Sequence, residues 1–345
     1  MPNLFYTPPK DDPRLLFARE KELHDVVANL KEGRWIVLLG PRRVGKTSLA
    51  KCAIRKLGWD AISIDARENN DLTQAFLSSI AKPPSLTSLD GRIQIAPSPL
   101  SVGFSYTKQN LGRNIDEFLK KRKRRRFILL LDEAQWFRNP RQVLRLLAHF
   151  YDYYYETVTP IITGSSVGVM KSILEPGTKS PLYGRSLTQL EVRKWTPSIS
   201  LSFLSEGLKQ NGLRMGEELM VKTVDSLDGL PGWLTMFGYY YTTNPRDYDV
   251  ALKKTMKEAL KIVDDETRGV AKLARGWQNH YKILMSLTTG RKSFKELLEA
   301  TGKPNSMVAD HLDMLQRLCY VEKSPDGSYS LVDPIFKELL SRAKK

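Results

Sequence analysis

Apolar positions along this chain alternate between strand-like and helix-like spacing over roughly its first half, then settle into helical spacing. Leu23, Val26, Val27 and Leu30 recur at i, i+3, i+4 and i+7, one face of an amphipathic helix. Trp35–Leu39 is a short apolar, β-branched run with the pattern of a buried strand, and Leu49, Ala53, Ile54 and Leu57 return to helical spacing. Ala61–Asp65 reads as a second strand and 71–80 as a short helix. Phe127–Leu131 (FILLL) is a continuous apolar run, as in strands buried on both faces of a parallel sheet. The spacing predicts a helix over 141–155, whose terminal aromatic cluster from Phe150 to Tyr155 suits helix packing. Pro160–Ser166 and Ser186–Leu190 read as two further strands. Strands alternating with helices predict an α/β fold built on a parallel sheet.

One stretch breaks this rhythm. In 82–110, Pro83, Pro84, Pro97 and Pro99 forbid a long helix, while Ile93/Ile95 and Val102/Phe104/Tyr106 alternate with period two. An inserted β-hairpin or loop excursion is expected, followed by a helix over 111–121. From Thr196 onward helices are predicted over Pro197–Gln210, Glu217–Leu227, Pro231–Tyr241 and Asp247–Val263, with Gly229-Leu230-Pro231-Gly232-Trp233 as a breaker. Three short helices follow, His280–Leu287, Ser293–Ala300 and Asn305–Leu318, with Ser293 and Asn305 as caps. Tyr320–Lys323 and Ser328–Val332 are strands joined at Pro325-Asp326-Gly327. Three helices and a hairpin make a winged helix-turn-helix, in which Asn305, Ser306, Asp310, His311, Asp313 and Arg317 are expected on the exposed face of the third helix. The expected domains are 1–192 (with the 82–110 insertion), an all-α segment over 193–276, and 277–345.

Composition changes this picture in one respect. Hydrophobic content of 41% and charged content of 27% are ordinary for a soluble globular chain, but the net charge is +16. Such a balance favours polyanionic partners, nucleic acid above all. Lys121–Arg126 (KRKRRR) concentrates six of these charges, as a solvated connector or as a patch for nucleic acid or an acidic partner. The segment 277–345 carries eleven Lys and Arg against eight Asp and Glu, only +3, a weak footprint for DNA. No apolar run is long enough to cross a membrane and no signal peptide is legible, so a cytoplasmic protein is expected. Cys52 and Cys319 match no metal spacing and fit a reducing compartment.

Between the first predicted strand and its helix lies Gly40-Pro41-Arg42-Arg43-Val44-Gly45-Lys46-Thr47-Ser48, a GxxxxGK[ST] phosphate loop in its required context. The glycines let successive backbone N–H groups face one anion, and the helix N-terminus adds partial positive charge. Lys46 can reach the β- and γ-phosphates, and Thr47 offers a hydroxyl to Mg²⁺. Asp132-Glu133, closing the FILLL strand, supplies the second half of the site: Asp132 holding Mg²⁺ through water, Glu133 polarising the attacking water. Ser165 or Thr163, at the end of a neighbouring strand, can sense the γ-phosphate, or Ser165 or Ser166 can cap a helix. Arg185 is expected to reach phosphate from the C-terminal edge of the sheet.

Taken in order, GPRRVGKTSL, FILLLDEAQ, IITGSS, LYGR and GLPGWL followed by a winged helix resemble the archaeal ATPase family of the STAND class, P-loop NTPases related to AAA+ proteins and archaeal replication initiators. The resemblance implies an ASCE-type sheet of order 5-1-4-3-2, a helical lid, and ATP/ADP-dependent switching. Mg²⁺-dependent hydrolysis is expected to be slow unless a partner completes the site, since the sequence names no in-trans arginine. It implies that Phe17 and Arg19, in Phe17-Ala18-Arg19-Glu20, pack around the adenine. Gly229 and Pro231 match a GxP element by which the lid meets nucleotide, Ser165 falls near the sensor position, and Arg185 matches the family's GR. No repeat array of the sort often attached to such regulators is legible in the 345 residues. A replication-initiator-like DNA-binding ATPase and a partner-binding assembly protein stand as alternatives, with DNA or a protein as macromolecular partner and no membrane.

Overall fold

The computed structural model describes residues 3–81, 126–164, 170, 173, 176–243, 247–273 and 277–343. The expected insertion at 82–110, the helix at 111–121, Ser165 and all but the last residue of the basic run lie outside the described residues. The first half alternates helix and strand: α1 (Glu20–Lys31), β1 (Ile36–Leu39), α2 (Lys46–Leu57), β2 (Asp60–Asp65), α3 (Leu72–Ala81), β3 (Phe127–Asp132), α4 (Pro140–Tyr153), β4 (Val158–Gly164) and β5 (Thr188–Glu191). The five strands form one parallel sheet of order β2-β3-β4-β1-β5, the order that the resemblance implies. Register aligns the strand ends: Asp65 pairs with Asp132, Leu131 with Ile162, Leu38 with Thr163 and Leu39 with Glu191. All C-terminal ends therefore share one edge, where an open α/β sheet places its ligand.

Alternation within the strands divides the core. Ile36, Leu38, Ile128 and Leu130 face one apolar cluster, and Trp35, Val37, Leu129 and Leu131 face the other. The second cluster is covered by α3 and α4. The first runs without a break from Leu4 through α1 and α2 to Leu340, so it also takes in everything after β5. There the chain forms α5 (Pro197–Gln210), α6 (Glu217–Leu227), α7 (Pro231–Thr243) and α8 (Tyr248–Leu273), then α9 (Trp277–Leu287), α10 (Phe294–Thr301) and α11 (Asn305–Arg317). An antiparallel pair, β6 (Val321–Lys323) and β7 (Tyr329–Leu331), and α12 (Pro334–Arg342) complete it.

Several elements differ from expectation. Helix α8 continues ten residues past Val263: Val270 is buried and Arg268 pairs with Asp264 at i,i+4, so the acidic and glycine-containing stretch stays helical. Helix α12 was not anticipated; Asp333 caps it by accepting from Ile335 N at 2.8 Å, with Pro334 at its first position. Ser293 caps α10 in a capping box, whereas α11 starts at Asn305 itself and has no side-chain cap. His311, expected on the exposed face, instead has its ring edge-on to the buried His280 at 4.5 Å. Among the aromatics of α4, Phe150 is buried but Tyr153 is 74% exposed.

The first described residues pack into the core. Phe5 is buried edge-on to Phe203 at 5.6 Å, in a slot between Gly207 of α5 and Gly238 of α7. A Cβ on either glycine would stand 2.4 or 2.1 Å from the ring. Asn3 Nδ2 donates to Asn211 Oδ1 at 2.9 Å, and Lys10 N donates to Ser48 Oγ at 3.0 Å. The segment thus straps α5 and α7 to α2. Replacing Phe5 by Ala leaves the slot unfilled and should lower stability by about 3–5 kcal/mol in chemical denaturation; an unchanged midpoint would show that the strap contributes nothing to folding.

Candidate nucleotide site

Between β1 and α2 the backbone turns through left-handed conformations at Arg43 (φ 69°) and Gly45 (φ 97°). Gly40 (φ 142°) lies so close to the segment after β5 that a Cβ there would meet the Val192 carbonyl oxygen at 2.1 Å. Val192 N in turn donates to Leu39 O at 2.8 Å, so glycine is required where loop and sheet edge touch. Lys46, almost fully buried, donates from Nζ to the carbonyls of Gly40 and Pro41, both at 2.8 Å. Helix α2 begins there, twelve residues long, with its free N–H groups and dipole directed at the loop.

Beside the loop, Thr47 Oγ1 bonds Asp132 Oδ1 and Oδ2 at 3.0 and 2.9 Å. Thr163, the residue across from Asp132 on β4, donates its hydroxyl to Asp132 Oδ1 and accepts from Glu133 N at 3.1 Å. Of the two hydroxyls proposed as sensors, Thr163 therefore joins the described site. Glu133 sits at φ 52°, a strained angle for a non-glycine residue. Its Oε2 accepts from Gln135 Nε2 at 2.6 Å. Burial pushes the Asp132 carboxyl upward, and the neighbouring Glu133 charge adds to this against hydrogen bonds from Thr163 and Thr47. Burial also raises Glu133, but Lys46, Arg42, Arg67 and the Gln135 bond outweigh it and leave its carboxyl below the usual range. Arg67, just past β2, is gripped by Asp65 at 3.0 Å (Nε) and 2.5 Å (Nη2) and brings a cation to the same edge.

A second set of residues approaches the loop from the far side. Gly232 N, at the start of α7, donates to Arg43 O at 2.9 Å. The Gly229–Gly232 turn is held by Trp195 N donating to Gly229 O at 2.8 Å, and a Cβ on Gly229 (φ 67°) would stand 2.2 Å from Trp195 O. Pro231 is buried in this turn. The Arg43 guanidinium lies 4.6 Å above the Trp233 ring, whose Nε1 donates to Asp333 at 3.2 Å. Arg42 Nη1 and Arg43 Nη2 reach the two oxygens of Glu266 on α8, at 2.7 and 3.1 Å. A cavity of about 30 Å³, room for one water, is lined by Pro41, Arg42, Glu266, Tyr320 and Asp333 among others.

Phe17 packs edge-on to Trp195 at 5.8 Å and Phe203 at 5.5 Å. Arg19, buried, bonds Glu22 at 2.6 Å, the Val44 carbonyl at 3.3 Å and the Arg193 carbonyl, tying the residues before α1 to the loop. Arg185 is a correction. It precedes β5 and so lies at the N-terminal edge of the sheet, opposite the phosphate loop, where it forks onto Asp152 at 2.7 Å and covers Tyr151. Sequence reading missed Gln135, Arg67, Trp233, Glu266 and Asp333. Gln135, inside FILLLDEAQ, and Trp233, inside GLPGWL, carried a local signal; the other three did not.

The donor set fits magnesium nucleotide. Thr47 and Asp132 present oxygen ligands side by side, as Mg²⁺ requires, next to a helix N-terminus suited to phosphate. Among the described residues no three His, Cys, Asp or Glu gather to hold a metal by themselves.

Residues 16–237, more than half of the chain, match the model of the ATPase domain predominantly from Archaea. A Walker-type ATPase of Pyrococcus abyssi superposes with a TM-score of 0.76 at 25% identity, covering 98% of this chain and 99% of that one. The ORC2 protein of Aeropyrum pernix, solved as ADPNP–ADP complexes, gives 0.60 at 13% identity over 99% and 98% of the chains. The ORC1 protein of the same organism in complex with DNA gives 0.51 at 17%, over 99% and 97%. These last two likenesses concern the fold alone. No curated protein sequence matches the chain.

The Asp333 carboxyl generates a pH prediction. Burial pushes it up to about 6 from an ordinary 3.8. A folded-state value above the unfolded one means that the native state holds this proton more tightly. The resulting stabilisation is complete below about pH 4 and is lost as pH rises through 6. Asp333→Asn keeps acceptors for Ile335 N and Trp233 but should abolish this slope between pH 4 and 7, as read by denaturation at successive pH values. An unaltered slope would place the titration elsewhere. With its phosphate loop, paired acids and parallel sheet, the chain belongs to the family of ATPase domains found predominantly in Archaea.

Proposed function

We propose that the protein is a Mg²⁺-dependent ATPase working as a STAND-type molecular switch, in which nucleotide state sets the arrangement of a helical lid (193–276) and a winged helix (277–345) over the phosphate loop. The observation that carries this reading is the Gly232 N to Arg43 O hydrogen bond, because it makes the loop backbone itself part of the contact with α7. Lys46 would exchange its two carbonyl partners for phosphate oxygens, and the α2 N–H groups would bind the remaining charge. Thr47 and Asp132 would hold Mg²⁺, which neutralises charge developing on the phosphate oxygens. Glu133, with one oxygen fixed by Gln135, would orient and deprotonate the attacking water, and Thr163 would report the γ-phosphate to Asp132 and Glu133. Phe17, Arg19, Gly229 and Pro231 would bound the nucleoside side of the site. Turnover should be slow without a partner, since among the described residues the arginines nearest the acids are already paired with Asp65 and Glu266. A cytoplasmic setting suits these roles.

A second reading, a DNA-binding ATPase like the replication initiators, is favoured by the net charge of +16 and by the three-helix-and-hairpin arrangement at the C-terminus. Against it, α11 exposes Asp310 and Asp313, and Arg317 is tied to Asp313 at 2.7 Å. Turnover measured with and without duplex DNA separates the readings: stimulation of hydrolysis, steeply weakened by salt, belongs to the second.

Two substitutions test the chemistry. Glu133→Gln should retain ATP within about threefold of the parent affinity while lowering turnover by roughly 10²–10⁴-fold. Lys46→Ala should weaken binding itself, seen by calorimetric titration. Undiminished hydrolysis in the glutamine variant would remove Glu133 from the role of base.

A further inference from the structure

The two arginines of the phosphate loop share a single carboxylate. Glu266 uses both oxygens, one on each guanidinium, and all three side chains are about three-quarters buried, with exposures of 21%, 27% and 25% for Arg42, Arg43 and Glu266. Ion pairs so shielded are screened by salt much less than surface ones. Two guanidinium groups converging on one oxyanion is also the arrangement that proteins use to hold a phosphate.

Arg42 is placed on the hydrolytic side of the loop. Its guanidinium lies 5.8 Å from the ring of Trp136, the last residue of the short turn that starts after Glu133. Within a phosphate loop that side belongs to the terminal phosphate, whereas the inner phosphates lie along the loop backbone and the start of the helix. We infer that Glu266 competes with the γ-phosphate for Arg42 and Arg43, and so sets the preference of the site between nucleoside triphosphate and diphosphate. The inference rests on the nucleotide-binding reading above and adds the residue that links the third phosphate to α8.

The consequence is physical and directional. A γ-phosphate near Arg42 brings further negative charge beside the Glu266 carboxylate, and the two cannot both keep the same cations at full strength. Triphosphate therefore loosens the α8 contact and diphosphate leaves it in place. The remaining Arg43 contacts, stacking on Trp233 and through it the bond to Asp333, carry that difference toward α12.

Glu266→Gln preserves side-chain volume and removes the charge. Calorimetric titration with Mg²⁺ and either the non-hydrolysable triphosphate ADPNP or ADP should show ADPNP binding tightened roughly 5–20-fold, with ADP changed less than about twofold. Glu266→Asp, which restores the charge on a shorter stem, should return the ADPNP:ADP ratio toward that of the parent. An ion pair that merely fastens α8 would shift both nucleotides equally, and an equal shift, or none, overturns the proposal while leaving nucleotide binding intact. A parent protein that binds neither nucleotide overturns the nucleotide-binding reading and this inference together.

Discussion

Backbone carbonyls of the phosphate loop need partners, and much of the molecule is arranged to provide them. A loop whose amide N–H groups converge on an anion must turn its carbonyls elsewhere, and buried backbone acceptors are costly when unpaired. Gly40 O and Pro41 O accept from Lys46, Arg43 O from Gly232 N, and Val44 O from Arg19. The donors come from the segment before α1, the helix after the loop, and a turn nearly two hundred residues further on. The hydrogen-bonding requirement that shapes the loop thus also fixes where α7 meets it.

The acids at the sheet edge follow from register and dielectric. Parallel pairing brings Asp65, Asp132 and Thr163 to one line, so two carboxylates of neighbouring strands and Glu133 crowd together. Such a group could not remain ionised in a half-buried edge without cations and hydroxyls around it. Arg67 answers Asp65, and Thr47 and Thr163 donate to Asp132. Glu133 is left with the long-range influence of Lys46, Arg42 and Arg67. Its ionised form is favoured, and Gln135 is the close side-chain donor to its carboxylate.

What was legible in the sequence was what is local in it. The phosphate loop and Asp132-Glu133 each occupy a few consecutive residues, and strand periodicity located β1 to β5 within two residues at each end. Arg185 was misplaced because nearness to a strand was weighed without direction: a residue before a parallel strand belongs to the edge remote from the phosphates. Glu266 and Asp333 had no signal, since their partners Arg43 and Trp233 lie 223 and 100 residues away. Leu4 and Phe5 were unreadable for another reason. Two apolar residues in a proline-rich stretch have no period, and the slot that receives Phe5 is made by two glycines that look like weak points of their helices.

The balance between apolar and polar contacts limits how such a site can transmit anything. The apolar cluster from Leu4 to Leu340 is continuous, so wholesale separation of α5–α12 from the sheet would expose core residues such as Phe203, Trp233 and Leu234 to water. Contacts directly on the phosphate loop are of a different kind: two arginines on one glutamate, one backbone hydrogen bond, one stacked tryptophan. Charge at the loop can reset these at an energetic scale of about 1–3 kcal/mol, the usual size of coupling between sites. The same charge cannot offset the exposure of a whole core face. The expected response to nucleotide is accordingly a shift of α8 and the Tyr320–Asp333 region against the loop, with Phe5 still seated in its slot.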